Sequence, residues 1–311
     1  MKRAFRCLSL ALAVCLVSGI LRAQEASAYR GLHRPPDVMN ARYGPHERNV
    51  LDLWKADGEG PRPLVVYIHG GGFVAGDKTG IRPELLKLCL DHGMSVASIN
   101  YRFVTRDPYP APMLDGVRAV QYLRQRAAEW NLDPARVAAS GGSAGAAMSL
   151  WIGYHDDLAD TSSGDPVMRQ SSRLSCMGVF GAQSTLDPRE ISLLVSPLTA
   201  RHPSFEAFYG IKGEEYDMRQ LVRLFQDASP LNHVTPDDPP AFLYYAEADA
   251  DIPDDAKPGA GIHHPRFGRL LEQVAGPAGV GVVVRHADEY REDPLGTAIA
   301  EMVAFFRIHL R

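Results

Sequence analysis

Arg136-Val137-Ala138-Ala139-Ser140-Gly141-Gly142-Ser143-Ala144-Gly145 is the stretch that decides the fold. Its first five residues read as a short buried strand, and Ala146 to Ile152 beyond it read as a helix. Between them lies G-x-S-x-G in the strand, turn, helix setting that the motif needs. So sharp a turn forces the serine into a strained backbone conformation, and small neighbours let the chain double back without clash. The Ser143 hydroxyl then stands above the sheet. The helix that follows aims its positive end and free N–H groups at any negative charge developing there. A plain glycine turn is the bland alternative, and the chain upstream argues against it.

Upstream, His69-Gly70-Gly71-Gly72-Phe73 directly follows an apolar run, Pro63 to Ile68. Three glycines leave a backbone that a ligand can approach closely, with its N–H groups unobstructed. A phosphate-binding loop is the rival reading. It would need a Lys-Ser/Thr ending, or G-x-G-x-x-G followed by a ribose-binding acid, and neither is present.

Asn49–Trp54 alternates like a half-buried strand, and further short apolar runs that read as buried strands lie at Ser95–Asn100, Met177–Ala182, Ala241–Ala246 and Val280–Arg285. Helical patterns separate several of them. Met113 to Trp130 carries Leu114, Val117, Val120, Leu123 and Ala127 on one stripe, and Pro294 to Leu310 carries Ile299, Met302, Val303 and Phe306. Strands alternating with helices imply βαβ units, a mostly parallel central sheet with helices on both faces, and a site at the C-terminal strand ends. Residues 154–240 are less regular, with one strand, a helical region over Arg201–Ala228 and many Pro, Ser and Asp residues. Part of this stretch reads as a small cap insertion; long surface loops are the alternative.

Taken together these segments resemble the α/β-hydrolase carboxylesterases, in the hormone-sensitive-lipase and feruloyl/acetyl-esterase-like branch. The resemblance runs from about Tyr43 to the C-terminus. Besides the two glycine motifs it rests on Tyr43-Gly44-Pro45 with Asn49-Val50-Leu51-Asp52-Leu53, on Asn100-Tyr101-Arg102-Phe103, on Pro110-Ala111-Pro112 with Asp115, and on Asp133-Pro134 with Arg136-Val137. Ala146 departs from a frequent family glycine. The resemblance implies an α/β-hydrolase fold and a serine esterase. Ser143 would be its nucleophile, and the backbone N–H groups of Gly71, Gly72 and Ala144 would form the oxyanion hole. It also implies a small-molecule or polysaccharide-linked ester, acetylated or feruloylated, as substrate. Neither a metal nor an organic cofactor is implied.

Asp249-Ala250-Asp251-Ile252-Pro253 resembles the family's acid segment and places the acid at Asp249, with Glu247 and Asp251 as competitors. Chain order then requires the base to follow. His286 comes just after the last strand, so it is the expected base. The family's usual Gly-x-x-His-Gly-Phe loop reads Arg285-His286-Ala287-Asp288-Glu289-Tyr290 here, and aligning the aromatic puts the family histidine near Asp288. Asp254 to Gly261 reads as a local insertion that lengthens the spacing to His286. His263 and His264 precede a helix before the last strand and are set aside. Two other classes compete with the esterase: a degenerate hydrolase that binds without turnover, and a peptidase on the same fold.

The 311 residues are 45% hydrophobic and 23% charged, with a formal net charge of −4 and no long run of one sign, so nucleic-acid binding has no support. Lys2, Arg3 and Arg6 precede an apolar stretch from Leu8 to Leu21, and small residues follow. This reads as a signal peptide over residues 1–23, leaving a single domain over 24–311, secreted or periplasmic. The stretch is too short for a stable membrane span of about 20 residues. Of four cysteines only Cys89 and Cys176 lie beyond the leader, and both sit in apolar surroundings that suit buried free thiols.

Overall fold

The structure is a computed structural model that describes residue 29, residues 31–211 and residues 218–311. The expected signal peptide lies outside the described residues. Residues 36–311 form one compact unit. Their strands are β1 (Val38–Arg42), β2 (Val50–Trp54), β3 (Arg62–Ile68), β4 (Ser95–Ile99), β5 (Leu132–Gly142), β6 (Cys176–Phe180), β7 (Ala241–Tyr245) and β8 (Val282–His286). They make one eight-stranded sheet in the order β1-β2-β4-β3-β5-β6-β7-β8. The pairs β1–β2 and β2–β4 are antiparallel, and every pair from β4 to β8 is parallel. This is the α/β-hydrolase arrangement that the motifs imply.

The helices are α1 (Pro83–Asp91), α2 (Ala111–Gln125), α3 (Ala127–Trp130), α4 (Ala144–Tyr154), α5 (Pro188–Leu194), α6 (Phe205–Tyr209), α7 (Met218–Ala228), α8 (Arg266–Ala275) and α9 (Pro294–His309). Every residue of α4 is buried, as its almost wholly apolar composition requires, and the buried Ser149 hydroxyl donates to the Gly145 carbonyl at 2.8 Å. The stripe on α2 needs one correction. Met113 is fully buried and Leu114 is 42% exposed, so the buried face begins one residue earlier than the pattern suggests. Val117, Val120 and Leu123 hold their expected places, as does Ala127 at the start of α3. Cys89 and Cys176 are buried free thiols.

Parallel pairing brings the strand ends into line. Ile68 pairs with Gly141, Gly142 with Phe180, and Tyr245 with His286. The loops after β3, β5, β6, β7 and β8 therefore emerge along one edge. Between β6 and β7 the chain makes a long excursion, and the single helical region expected there is broken into α6 and α7, with Gly210 in the left-handed conformation ending the first. Several hydrogen bonds tie the excursion to the body, two of them to α2's lead-in and to α4. The Phe208 carbonyl accepts from the Tyr109 N–H at 2.7 Å, and the Trp151 indole donates to the Asp227 carbonyl at 2.9 Å.

Candidate active site

Ser143 sits between β5 and α4 with φ 54° and ψ −121°, a conformation that L-residues other than glycine rarely adopt. Its N–H donates to the Phe180 carbonyl at 2.9 Å, and its own carbonyl accepts from the Ala147 N–H at 3.0 Å. Local packing selects the glycine after it. A Cβ on Gly145 would lie 2.0 Å from the Ile68 carbonyl oxygen, so only glycine lets α4 start this close to β3. Ala144 opens α4, so its N–H has no carbonyl a turn earlier to bond and is free for a ligand.

The His69–Phe73 loop lies against this elbow. A Cβ on Gly70 would stand 3.3 Å from the Ser143 Cβ. Gly71 has φ +109°, and its carbonyl accepts from the N–H groups of Val74 and Ala75. A side chain there would meet the Ala75 carbonyl at 2.2 Å. His69 braces the loop from below. Its Nδ1 lies 2.8 Å from the Gly70 carbonyl, which can only accept, so Nδ1 carries the proton and Nε2 accepts from Arg48 at 3.3 Å. The ring stacks on Tyr101 at 4.3 Å. Burial pushes this imidazole down to about 4, so it stays neutral at ordinary pH.

The residue that meets Ser143 is His263. Its Nε2 lies 2.8 Å from the Ser143 Oγ. The loop between β7 and α8 carries it there, and that loop is anchored from several sides. Both Glu247 carboxylate oxygens accept backbone N–H groups, one from Gly261 at 2.9 Å and the other from His263 at 2.8 Å. Gln183 donates to the Ile262 carbonyl at 2.6 Å, and Thr199 donates to the Ala260 carbonyl at 2.6 Å. Burial lowers the proton affinity of His263 below the ordinary histidine value, and the Glu247 carboxylate pulls it back up. Glu247 thus fixes the loop and supplies negative charge, although among the described residues no carboxylate bonds the second ring nitrogen of His263.

The expected base and acid stand elsewhere. His286 ends β8, and its Nε2 lies 2.9 Å from the Glu247 backbone carbonyl. Its Nδ1 accepts from the Asp288 N–H at 3.3 Å. Both nitrogens are engaged away from Ser143, so the expectation for His286 is corrected. Asp249 does not face a histidine at Ser143 either. It is exposed and makes a two-pronged pair with Arg269 at 2.6 and 2.8 Å. Asp251 pairs with Arg266 at 2.6 Å. Of the three acid competitors only Glu247 reaches the Ser143–His263 pair. His263 was legible in principle, because it follows Glu247 in the chain. It was set aside because the family places its base after the last strand.

A cavity of about 610 Å³ opens beside the pair, lined by Tyr67, Arg82, Phe180, Tyr244 and Leu295 with Gly70, Ser143 and His263. Among the described residues no helix is long and apolar enough to cross a membrane. The fold also gathers His155, Asp227 and His233, their ligand-type atoms within 4.8 Å of one another. Hydrogen bonds already engage these groups. His155 Nδ1 meets the Asp156 carbonyl, His233 Nε2 the Asp227 carbonyl, and the Asp227 carboxylate the Tyr109 hydroxyl. At Ser143 the arrangement is chemically plain: a strained, accessible hydroxyl, a neutral imidazole in hydrogen-bond contact, a carboxylate behind it and free N–H groups in front.

Comparison with known proteins bears on the family and the fold. The BD-FAE family model matches residues 51–257. A probable carboxylic ester hydrolase, LipM of Mycobacterium tuberculosis, is 26% identical over 228 residues, covering 72% of this chain and 50% of that protein. A probable isoprenylcysteine alpha-carbonyl methylesterase of Arabidopsis thaliana, ICMEL1, is 27% identical over 266 residues, covering 84% of this chain and 53% of that protein. The chain spans about half the length of the curated relatives it matches. Among solved structures, a truncated carbohydrate esterase from gut microbiota superposes with a TM-score of 0.70 at 21% identity, covering 89% of this chain and 99% of the other.

Proposed function

The chain belongs to the BD-FAE family, and from that premise we propose that it is a carboxylic ester hydrolase working through an acyl-enzyme on Ser143, with His263 as general base. The observation that carries this reading is the 2.8 Å contact between His263 Nε2 and Ser143 Oγ. His263 takes the hydroxyl proton as Ser143 attacks the ester carbonyl. Gly71, Gly72 and Ala144 offer backbone N–H groups to the oxyanion. His263 then returns the proton to the leaving alkoxide, and water, activated by the same ring, releases the acyl group. Glu247 holds the loop and stabilises the imidazolium that forms between the two proton transfers.

The rival reading, binding without turnover, drew its support from the irregular loop around His286. A base that reaches Ser143 from another loop removes that support. An acetyl or feruloyl ester on a polysaccharide is the substrate class to which the family resemblance points. Export through the basic and apolar leader, residues 1–23, belongs to the same proposal and makes the protein secreted or periplasmic.

Hydrolysis of p-nitrophenyl acetate by wild type and by Ser143→Ala tests the chemistry. Wild-type turnover should fall by at least about 1000-fold in the variant, since the hydroxyl is the atom that forms the bond. Retention of wild-type rate by Ser143→Ala would remove the acyl-enzyme from the account.

A further inference from the structure

Ester hydrolysis as drawn makes no use of Arg82, which lines the cavity beside Ser143. It stands at the N-terminal boundary of α1 and is half-buried. Its guanidinium carbon lies 5.1 Å from the centre of the Phe180 ring. Among the described residues that guanidinium makes no hydrogen bond and no ion pair. Glu247 lines the same cavity, and the hydrogen bonds of that carboxylate and of two others at the β8 end go to backbone N–H groups. Glu247 accepts the Gly261 and His263 N–H groups, Asp293 accepts the Gly296 N–H at the start of α9, and Glu289 accepts the His286 N–H.

An arginine without a counter-ion, partly removed from water and laid toward an aromatic face, is poised for an anionic ligand. Its planar fork of N–H donors matches the two oxygens of a carboxylate, and a partly desolvated setting strengthens the pair. The chain's net charge of −4 gives no general attraction for anions, so any preference for one must arise locally at such a group.

We propose that Arg82 sets substrate specificity, and that the ester hydrolysed at Ser143 carries a carboxylate, in its acyl or its alcohol part, which Arg82 binds while the body of the substrate lies against Phe180 and Tyr244. The inference rests on the acyl transfer proposed above and deepens it.

The test compares kcat/KM for matched ester pairs in wild type, Arg82→Gln and Arg82→Lys. One pair is the p-nitrophenyl ester of adipic acid and its methyl-capped counterpart, which places the charge on the acyl side. The other is 4-carboxyphenyl acetate and its methyl ester, which places the charge on the alcohol side. In wild type the charged member of one pair should be preferred by about tenfold or more, in line with the strength of a charge-assisted hydrogen bond. Arg82→Gln should bring that ratio close to one, and Arg82→Lys should restore part of it. The pair that responds tells which half of the ester carries the carboxylate. A wild-type ratio near one for both pairs overturns the inference, as does a preference that survives Arg82→Gln. The acyl-transfer reading is judged separately, by loss of turnover in Ser143→Ala on the neutral members.

Discussion

The Ser143 elbow and the loop that brings His263 to it are built on opposite principles. The elbow is local: Gly141 to Gly145 are consecutive, and the strain at Ser143 is held by the Ile68 and Phe180 backbone packed around it. The His263 loop is assembled from a distance. Its backbone is held by Glu247, Gln183 and Thr199, and Glu247 is itself tethered by His286 through its carbonyl. One half of the site depends on which residues fit a tight turn. The other depends on which partners meet once the fold has formed, so it can move along the chain while the chemistry stays in place.

This contrast predicts a graded series. Changes in the elbow, or in the glycine loop packed against it, should be severe. Gly71→Val forces a branched side chain onto the Ala75 carbonyl and into a left-handed backbone, so the donors turn away from the oxyanion. Turnover should fall about 100- to 1000-fold, as measured by kcat on p-nitrophenyl acetate, with the thermal unfolding midpoint checked alongside. Wild-type turnover in this variant would give the loop another role.

A milder loss is expected in the distributed half from Glu247→Gln, because the amide keeps one of the two backbone acceptors that hold the loop while it removes the other together with the charge. Turnover should fall roughly 10- to 100-fold, the range for a carboxylate acting on a buried imidazolium a few ångströms away. The pH profile carries a second readout. His263 must be neutral to act, so activity is lost as pH falls through its ionisation, which burial places below the ordinary histidine value. Glu247 raises that ionisation, so the acid limb of kcat/KM should move to still lower pH in Glu247→Gln. A shift to higher pH, or none, would break the assigned coupling.

The smallest effect belongs to the residue the family pattern favours. Asp249→Asn breaks an exposed pair with Arg269, worth at most about 1 kcal/mol of stability. It should leave kcat within about twofold. Denaturant unfolding and steady-state rates on one preparation measure both, and a large loss of kcat would return Asp249 to the active site.

Acid stability separates the two halves as well. His69 is held neutral by burial, with its ionisation at about 4 in the folded chain against about 6.5 when unfolded. The unfolded chain therefore binds the proton first, and stability conferred above pH 6.5 should be lost as pH falls from there toward 4. His69→Gln should flatten that part of the stability profile, which urea midpoints across this window would record. An unaltered slope would mean that other groups carry it.

What the sequence revealed follows the same division. The strands after β1 were readable because they are short apolar runs, most of them buried within the parallel part of the sheet, and Ser143 was readable because its constraints lie within five residues. β1 escaped notice because Val38–Arg42 mixes apolar and polar residues with no clear alternation and is at most partly buried at the sheet edge. The base was misplaced for a related reason. Asp254–Gly261 was read as mere added length before His286, whereas the loop containing it turns back over the strand ends and carries His263 to the serine. The family match itself ends at residue 257, just before that histidine. Pattern placed the base where the family resemblance puts it; the proposal of His263 rests instead on its contact with Ser143 and on the hydrogen bonds of Glu247 and Gln183.

The most direct test is therefore a pair of substitutions read side by side: kcat/KM on p-nitrophenyl acetate for His263→Gln and for His286→Gln. Glutamine can still donate to the Glu247 carbonyl at position 286, but it cannot shuttle a proton at position 263. The account predicts a loss of about 1000-fold or more for His263→Gln and a change within tenfold for His286→Gln. Loss of turnover in His286→Gln with activity kept in His263→Gln would contradict it.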